Sequence, residues 1–202
     1  CSNETNISIF SATLPDYILE LTDKFMNNPY KIIVKKEELS LECIQQFYIA
    51  LEDDNDKYNT LKQLFEFLTV TQCIVFVNGV NRVNELYEAL YKEGFTVCCM
   101  HSNMSKVDRK KTLEQFRGGK FRLLLSSDLT SRGIDVQQVE TVVNFDIPKS
   151  VHTYLHRIGR GGRWGRKGVA INLITRRDIS QMRYIENHYK ICIKEFEGKL
   201  DS

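Results

Sequence analysis

Two stretches of this sequence combine residue types and spacing that suit phosphate chemistry. The first is HRIGRGGRWGRKG, residues 156–168, where five of the chain's eleven glycines fall and where arginine recurs at Arg157, Arg160, Arg163 and Arg166. Glycine that dense is not a helix interior, where each one costs roughly 1 kcal/mol against alanine. A phosphate, or the charge that spreads over a γ-phosphoryl group during transfer, is best met by planar, permanently charged guanidinium groups held rigidly. Glycines let the backbone come close. The VHTYLHRI pattern that precedes the turn is helical, which puts Arg157 on a helix and Arg160 and Arg163 on the turn after it. A flexible RGG-type tail is the alternative, but such tails lie outside folded units and this one is flanked by TYLHRI and VAINLI. His152 and His156 are four apart, a spacing that suits zinc on a helix face, yet no third ligand is evident.

The second stretch is SSDLTSRGID, residues 126–135, directly after the apolar FRLLL run. In a parallel sheet, ligands bind beyond the carboxyl ends of the strands. A loop with Ser126, Ser127, Arg132, Gly133 and Asp135 in that place offers hydroxyls to a phosphate and a carboxylate to ribose hydroxyls. A capped turn with no ligand remains open as the other reading of the same residues.

These loops need a scaffold, and the hydrophobic pattern supplies one. From Cys73 onward short apolar runs alternate with helical patterns: CIVFV (73–77), NRVNELYEALYKEG (81–94), FTVCCM (95–100), SKVDRKKTLEQFRGG (105–119) and FRLLLS (121–126). Strand, helix, strand, helix, strand predicts a parallel sheet covered by helices on both faces. Gly94 and Gly118 stand where left-handed helix caps are wanted, and Ser105 with Asp108 matches a capping box. TVVNF (141–145), VHTYLHRI (151–158), GVAINLI (168–174) and a helix over about 178–189 continue the theme. Upstream, residues 7–10 read as a strand, a helix starts near Pro15, and residues 30–34 read as another strand. The charged KKEELS, residues 35–40, is the candidate linker. IQQFYIAL (44–51) then opens the second unit as a strand, and the acidic EDDNDK (52–57) reads as a solvated turn without the glycine and terminal glutamate of a calcium loop.

Composition narrows the functional classes. The chain has 202 residues, is 42% hydrophobic, and carries 27% charged residues that nearly cancel to a formal +2. Such a balance excludes a global field for polyanions, so any nucleic-acid affinity must come from a local concentration of Arg and Lys. Six cysteines (Cys1, Cys43, Cys73, Cys98, Cys99, Cys192) form no CxxC pair and read as reduced, mostly buried thiols. No apolar run approaches the roughly 20 residues a membrane span needs. A cytoplasmic or nuclear setting is expected. The chain starts with Cys rather than Met, which is the expectation for a fragment or a processed product.

Six segments together resemble a family. SAT (11–13), VFVNG (75–79), HSNMSKVDR (101–109), SSDLTSRGID (126–135), NFDIP (144–148) and HRIGRGGR (156–163) are similar to the later motifs of DEAD-box RNA helicases, in that family's order and spacing. VKKEELSLE, SRGIDVQQV and HRIGRGGRWGRKGVAIN are most similar to its translation initiation factor 4A group, and the resemblance covers nearly the whole chain. It implies two RecA-like lobes that close over ATP and single-stranded RNA. Residues 1–34 would be the end of the first lobe, 35–43 the linker and 44–202 the complete second lobe, an α/β RecA-like parallel sheet.

The same resemblance implies roles residue by residue. Arg160 and Arg163 would reach the γ-phosphate as catalytic fingers, with Gly133 and Asp135 also at ATP, Asp135 on its ribose. Ser11, Thr13, Arg132, His156 and Arg157 would couple the lobes, His156 and Arg157 bridging to the DEAD segment of the other one. Gly79, Ser102, Arg109, Ser127 and Asp128 would meet RNA. Lys106, Ser102 and Gly79 depart from the family's usual glutamine, glycine and threonine, and Trp164 replaces a common phenylalanine. Neither GxxxxGK[ST] nor a DEAD tetrapeptide occurs in the 202 residues. The chain alone is therefore expected not to hydrolyse ATP, with Mg2+ held mainly by the first lobe. Implied partners are RNA, the first lobe, and a helical-repeat scaffold of the initiation factor 4G kind. A non-catalytic RecA-like module that docks RNA or a scaffold is the alternative of a different class. A double-stranded DNA translocase shares the architecture, but the linker and the HRIGRGGR wording argue against it.

Overall fold

The structure is a computed structural model that describes residues 7–9, 16–26, 29–32, 41, 44–67, 72–128, 139–159 and 168–198. The chain divides into two compact units, Cys1–Leu39 and Ser40–Ser202.

In the first unit the described regular element is α1 (Asp16–Phe25), which starts where Pro15 predicts. Lys31 Nζ reaches back to Asp23 Oδ1 at 2.5 Å. Residues 7–9 and 30–32, expected as parts of strands, are not strands. A strand exists by pairing its backbone groups with a neighbour, and no described segment of this unit pairs with either one. The remainder of each expected strand, residues 10 and 33–34, lies outside the described residues.

The second unit is built on β1 (Ile44–Ala50), β2 (Cys73–Val77), β3 (Val97–Met100), β4 (Leu123–Ser127), β5 (Thr141–Asn144), β6 (Gly168–Ile174) and β7 (Lys194–Glu195). These form one sheet in the order β3-β4-β2-β5-β6-β1-β7, and every pair is parallel. The helices are α2 (Asp54–Phe67), α3 (Val80–Lys92), α4 (Lys106–Arg117), α5 (Val151–Ile158) and α6 (Ile179–Tyr189). The central strands β2, β4 and β5 are buried along their whole length. Continuous apolar runs such as CIVFV are what a sheet covered on both faces demands.

Alternation along β2 divides the core. Cys73, Val75 and Val77 point to one face, where Leu61 and Leu64 of α2 and Val83, Leu86 and Leu90 of α3 pack. Ile74 and Phe76 point to the other, beside Phe116 of α4. Next to them Val151, Tyr154 and Ile158 of α5 and Met182 and Ile185 of α6 cover β6. The expected RecA-like sheet with helices on both faces is the fold observed.

Local signals hold with two corrections. Ser105 caps α4, its Oγ accepting from the Asp108 backbone N–H at 3.1 Å. The left-handed residue after α4 is Gly119 (φ 77°), one later than expected, whereas Gly94 (φ 84°) takes the predicted role after α3. The acidic run is not a solvated turn. Asp53 Oδ1 accepts from the backbone N–H groups of Asn55 (2.8 Å) and Asp56 (3.0 Å), and α2 begins at Asp54. Acidic residues at that end satisfy orphan N–H donors and favour the helix dipole. Of the cysteines, Cys73 and Cys98 are buried, Cys99 is half-buried and Cys192 is exposed; all four are free thiols. Burial pushes the Cys73 thiol up to about 12.

Candidate functional site

Three neighbouring strands end side by side with polar residues: β2 runs into Asn78 and Gly79, β4 into Ser127 and Asp128, and β5 into Asn144, Phe145 and Asp146. Ser102 follows the end of β3, and Arg109 lies in the first turns of α4 just beyond it. The topology thus gathers Gly79, Ser102, Ser127 and Asp128, expected apart in sequence to meet one ligand, at the carboxyl ends of adjacent strands. That is the edge where ligands bind in open parallel sheets.

Arg157 organises this edge from beneath. On α5 the residues Val151, Tyr154, Arg157 and Ile158 are buried, so the arginine occupies a position of the helix's apolar stripe. Its side chain has no exposure. Nε donates to Asp128 Oδ1 at 2.5 Å, one Nη to Asn144 Oδ1 (3.1 Å) and to the Asp146 carbonyl (2.6 Å), and the other Nη to Asn78 Oδ1 (2.6 Å). The guanidinium also lies 5.3 Å from the Phe76 ring centre. A planar fork with five donors is the one side chain that can tie three strand ends together in this way. Burial draws its pKa below the ordinary guanidinium value, while Asp128 and then Asp146 oppose that shift.

Each strand end is held a second time. The Asn78 backbone N–H donates to Asp146 Oδ2 (2.9 Å) and its side-chain amide to the Ile147 carbonyl (2.8 Å). Asn144 donates to Asn172 Oδ1 (2.8 Å), Asn172 donates to the Phe47 carbonyl (2.9 Å), and the Tyr154 hydroxyl donates to Gln46 Oε1 (2.9 Å). A buried polar chain therefore runs from Asp128 across β5 and β6 to β1. On the other side of Asp146, Arg82 Nε stands 3.0 Å from Oδ2 and the buried Lys57 ammonium 3.8 Å from Oδ1. Lys57 also reaches Asp178 Oδ2 (3.0 Å) and Asp54 Oδ1 (3.8 Å).

Gly79 has φ 121° and ψ 150°, a region only glycine occupies readily. A Cβ there would meet nothing within 4 Å, so the restriction comes from the backbone alone.

The expectation that Arg157 reaches out toward another lobe meets a different geometry, because all three of its nitrogens are engaged inside this unit. His156, half-buried on the same helix, follows from the other side of the stripe. His152 pairs with His188 of α6, ring centres 6.1 Å apart, rather than with His156. Among the described residues no group of three or more His, Cys, Asp or Glu side chains could hold a metal ion. Ser11, Thr13, Arg132, Gly133, Asp135, Arg160 and Arg163 lie outside the described residues. The importance of Asn78, Asn144, Asp146 and Lys57 was missed in the sequence. Arg157 did leave a signal: a charged residue three positions after Tyr154, in the stripe that faces the sheet.

Comparisons with known proteins agree with this geometry. The helicase conserved C-terminal domain matches residues 56–165. A probable eukaryotic initiation factor 4A of Trypanosoma brucei brucei is 50% identical over 192 residues, covering 95% of this chain and 47% of that protein. An ATP-dependent RNA helicase eIF4A of Eremothecium gossypii is 46% identical over 196 residues, covering 97% and 50%. The chain thus spans about half the length of these relatives. Among solved structures, S. cerevisiae Dbp5 bound to RNA and ADP BeF3 superposes with a TM-score of 0.85 at 30% identity, over 92% of this chain and 49% of that one. The E. coli DEAD-box protein SrmB, bound to the regulator of ribonuclease activity A, superposes with a TM-score of 0.72 at 34% identity, over 79% and 95%. Sheet order, the strand-end site and sequence identity converge, and the chain belongs to the helicase conserved C-terminal domain family of DEAD-box proteins.

Proposed function

We propose that the chain is the second RecA-like lobe of an ATP-dependent RNA helicase acting in translation initiation. The observation that carries this reading is the Arg157-centred edge: a buried guanidinium fixes the strand ends that bear VFVNG, SSD and NFDIP. The same fold superposes closely on Dbp5 bound to RNA and ADP BeF3. RNA is gripped through its sugar-phosphate backbone by Gly79, Ser102, Arg109, Ser127 and the Asp128 loop, hence with little sequence preference. Asp128 bears a carboxylate next to a polyanion. Its pairing with Arg157 offsets that charge and makes it a positioning residue for Ser127.

ATP sits between this lobe and the first one, with Gly133 and Asp135 at the nucleoside and Arg160 and Arg163 at the γ-phosphate. Magnesium travels with the nucleotide on carboxylates of the first lobe. Lobe closure, favoured by ATP, bends one RNA strand and separates short duplexes; Ser11, Thr13, Arg132 and His156 transmit it, and Arg157 keeps the edge in register. A helical-repeat scaffold of the initiation factor 4G kind is the protein partner in this reading, and the cytoplasm, with the nucleus for related processes, its compartment. The test uses the full-length protein carrying Arg163→Ala. RNA-stimulated ATP hydrolysis should fall by about 10³–10⁵, the range for arginine fingers in phosphoryl transfer. Hydrolysis at the unaltered rate would reject the finger role.

A further inference from the structure

The second unit is electrically polarised across its sheet. Over residues 106–122 seven Lys and Arg stand against Asp108 and Glu114, a local +5 in a chain whose formal total is +2. The opposite face carries the reverse sign. Residues 52–67 hold five acids against Lys57 and Lys62, and residues 80–93 hold three against Arg82 and Lys92. Packing fixes these faces: Leu113 and Phe116 of α4 lie on one side of the sheet, and the α2 and α3 side chains on the other. Lys106, Lys110, Lys111, Arg117, Lys120 and Arg122 are all exposed. At about 100° per residue, Lys106, Lys110 and Arg117 fall within about 40° of one line along the helix.

The direction of the stripe matters. Helix α4 starts at the carboxyl end of β3, next to Ser102 and Arg109, and returns to the amino end of β4, because a parallel crossover must. Its 12 residues extend about 18 Å, and the exposed Lys120 and Arg122 follow in the chain beyond Gly118 and Gly119. We infer that this face is a second phosphate track, along which the RNA flanking the strand-end site runs away from the cleft on the exposed cations of α4. The inference rests on the RNA reading proposed above. A polyanion of regularly spaced charges fits a line of cations that spans the full depth of the lobe, and it explains why the bases concentrate here while the opposite face is acidic. Lys110 has a weak surface partner in Glu114, at 3.9 Å; such pairs contribute little and yield to a phosphate.

The experiment measures binding of the 202-residue chain to unstructured oligouridine of about 6 and about 24 nucleotides, lengths near the lower end of and beyond the range of single-strand sites. Salt is varied between about 50 and 200 mM, since each neutralised phosphate adds about 0.7 to the log–log slope for single strands. The long RNA should bind more tightly and with the steeper slope. Lys110→Gln, Arg117→Gln and Lys120→Gln together should lower that slope by about 2 and leave the short RNA unchanged, whereas Arg109→Ala should weaken both lengths. Equal slopes for the two lengths, or a triple variant with the parent's long-RNA slope, would overturn the track while binding of the short RNA keeps the strand-end reading alive. Binding of neither RNA would overturn both. A poly-glutamate peptide that displaces the long RNA's extra contact at equal charge concentration would assign the face to an acidic protein segment and overturn the RNA track.

Discussion

Arg157 Nε and Asp128 Oδ1 lie 2.5 Å apart, with the arginine wholly buried and the aspartate side chain 37% exposed. The pair joins a buried position of α5 to the residue directly after β4. Its stability rests on the whole donor set, because Asn78, Asn144 and Asp146 take the remaining N–H groups. Removing one partner of a buried ion pair costs about 3–5 kcal/mol, since the other charge stays uncompensated. Arg157→Ala should therefore lower unfolding free energy by about that amount in urea titrations. Asp128→Asn, whose side chain keeps an acceptor and solvent contact, should cost about 1 kcal/mol. A cycle with both changes should show coupling of more than about 0.5 kcal/mol; strict additivity would mean the two do not meet.

Acid should weaken one identifiable corner of the lobe. Burial raises the Asp178 carboxyl pKa, but the Thr175 N–H and the Lys57 ammonium more than compensate and hold it below the ordinary 3.8. A depressed folded value means that its stabilisation is present above the unfolded pKa and is lost as pH falls through the folded one. The stability difference between the parent and Asp178→Asn should thus be constant from neutral pH to about pH 5 and shrink below about pH 4. Urea midpoints taken along that range read the effect directly, and a difference that grows toward low pH contradicts the assignment.

Legibility followed burial symmetry. Strands such as CIVFV and GVAINLI and the helix VHTYLHRI are bounded to the residue, because the first is apolar throughout, the second apolar but for Asn172, and the third striped at the helical period. The start of α2 reads as a turn over 52–57 since these residues are acidic and the buried lysine looks like surface; Lys57 meets Asp178 across 121 residues of sequence. The strand β7 is two charged residues at a sheet edge and has no pattern to read. At the site, loop positions followed from the strand order, while Arg157 was legible as a type and not as a place. Residue chemistry pointed to phosphate, and the helix phase, which decides direction, pointed inward.

Restoring a threonine at position 79 tests backbone against side chain. The φ of 121° and ψ of 150° at Gly79 lie where a β-carbon costs about 1–3 kcal/mol, although no atom obstructs it. Gly79→Thr should lose that much stability in urea titration, and the added hydroxyl should not strengthen RNA binding unless the turn after β2 rearranges. A variant as stable as the parent that also binds RNA more tightly would show that the turn readily adopts another conformation.

Lys57 provides the last separation of packing from charge. Its side chain is 2% exposed and faces Asp54, Asp146 and Asp178, while Arg82 and Arg177 supply further positive charge to Asp54 from outside. Lys57→Met keeps the aliphatic volume and removes the ammonium. The carboxylates then stay half-covered with fewer partners, so a loss of about 3 kcal/mol is expected, within the range for breaking a buried pair. If the role is electrostatic, Lys57→Met combined with Asp178→Asn should recover part of that loss, because fewer unpaired charges remain. Recovery should be absent when Lys57→Met is combined with an equally destabilising core change such as Ile185→Val on the far side of the sheet, where Ile185 is buried against α5. Equal losses in both combinations would show that Lys57 and Asp178 are not coupled through charge.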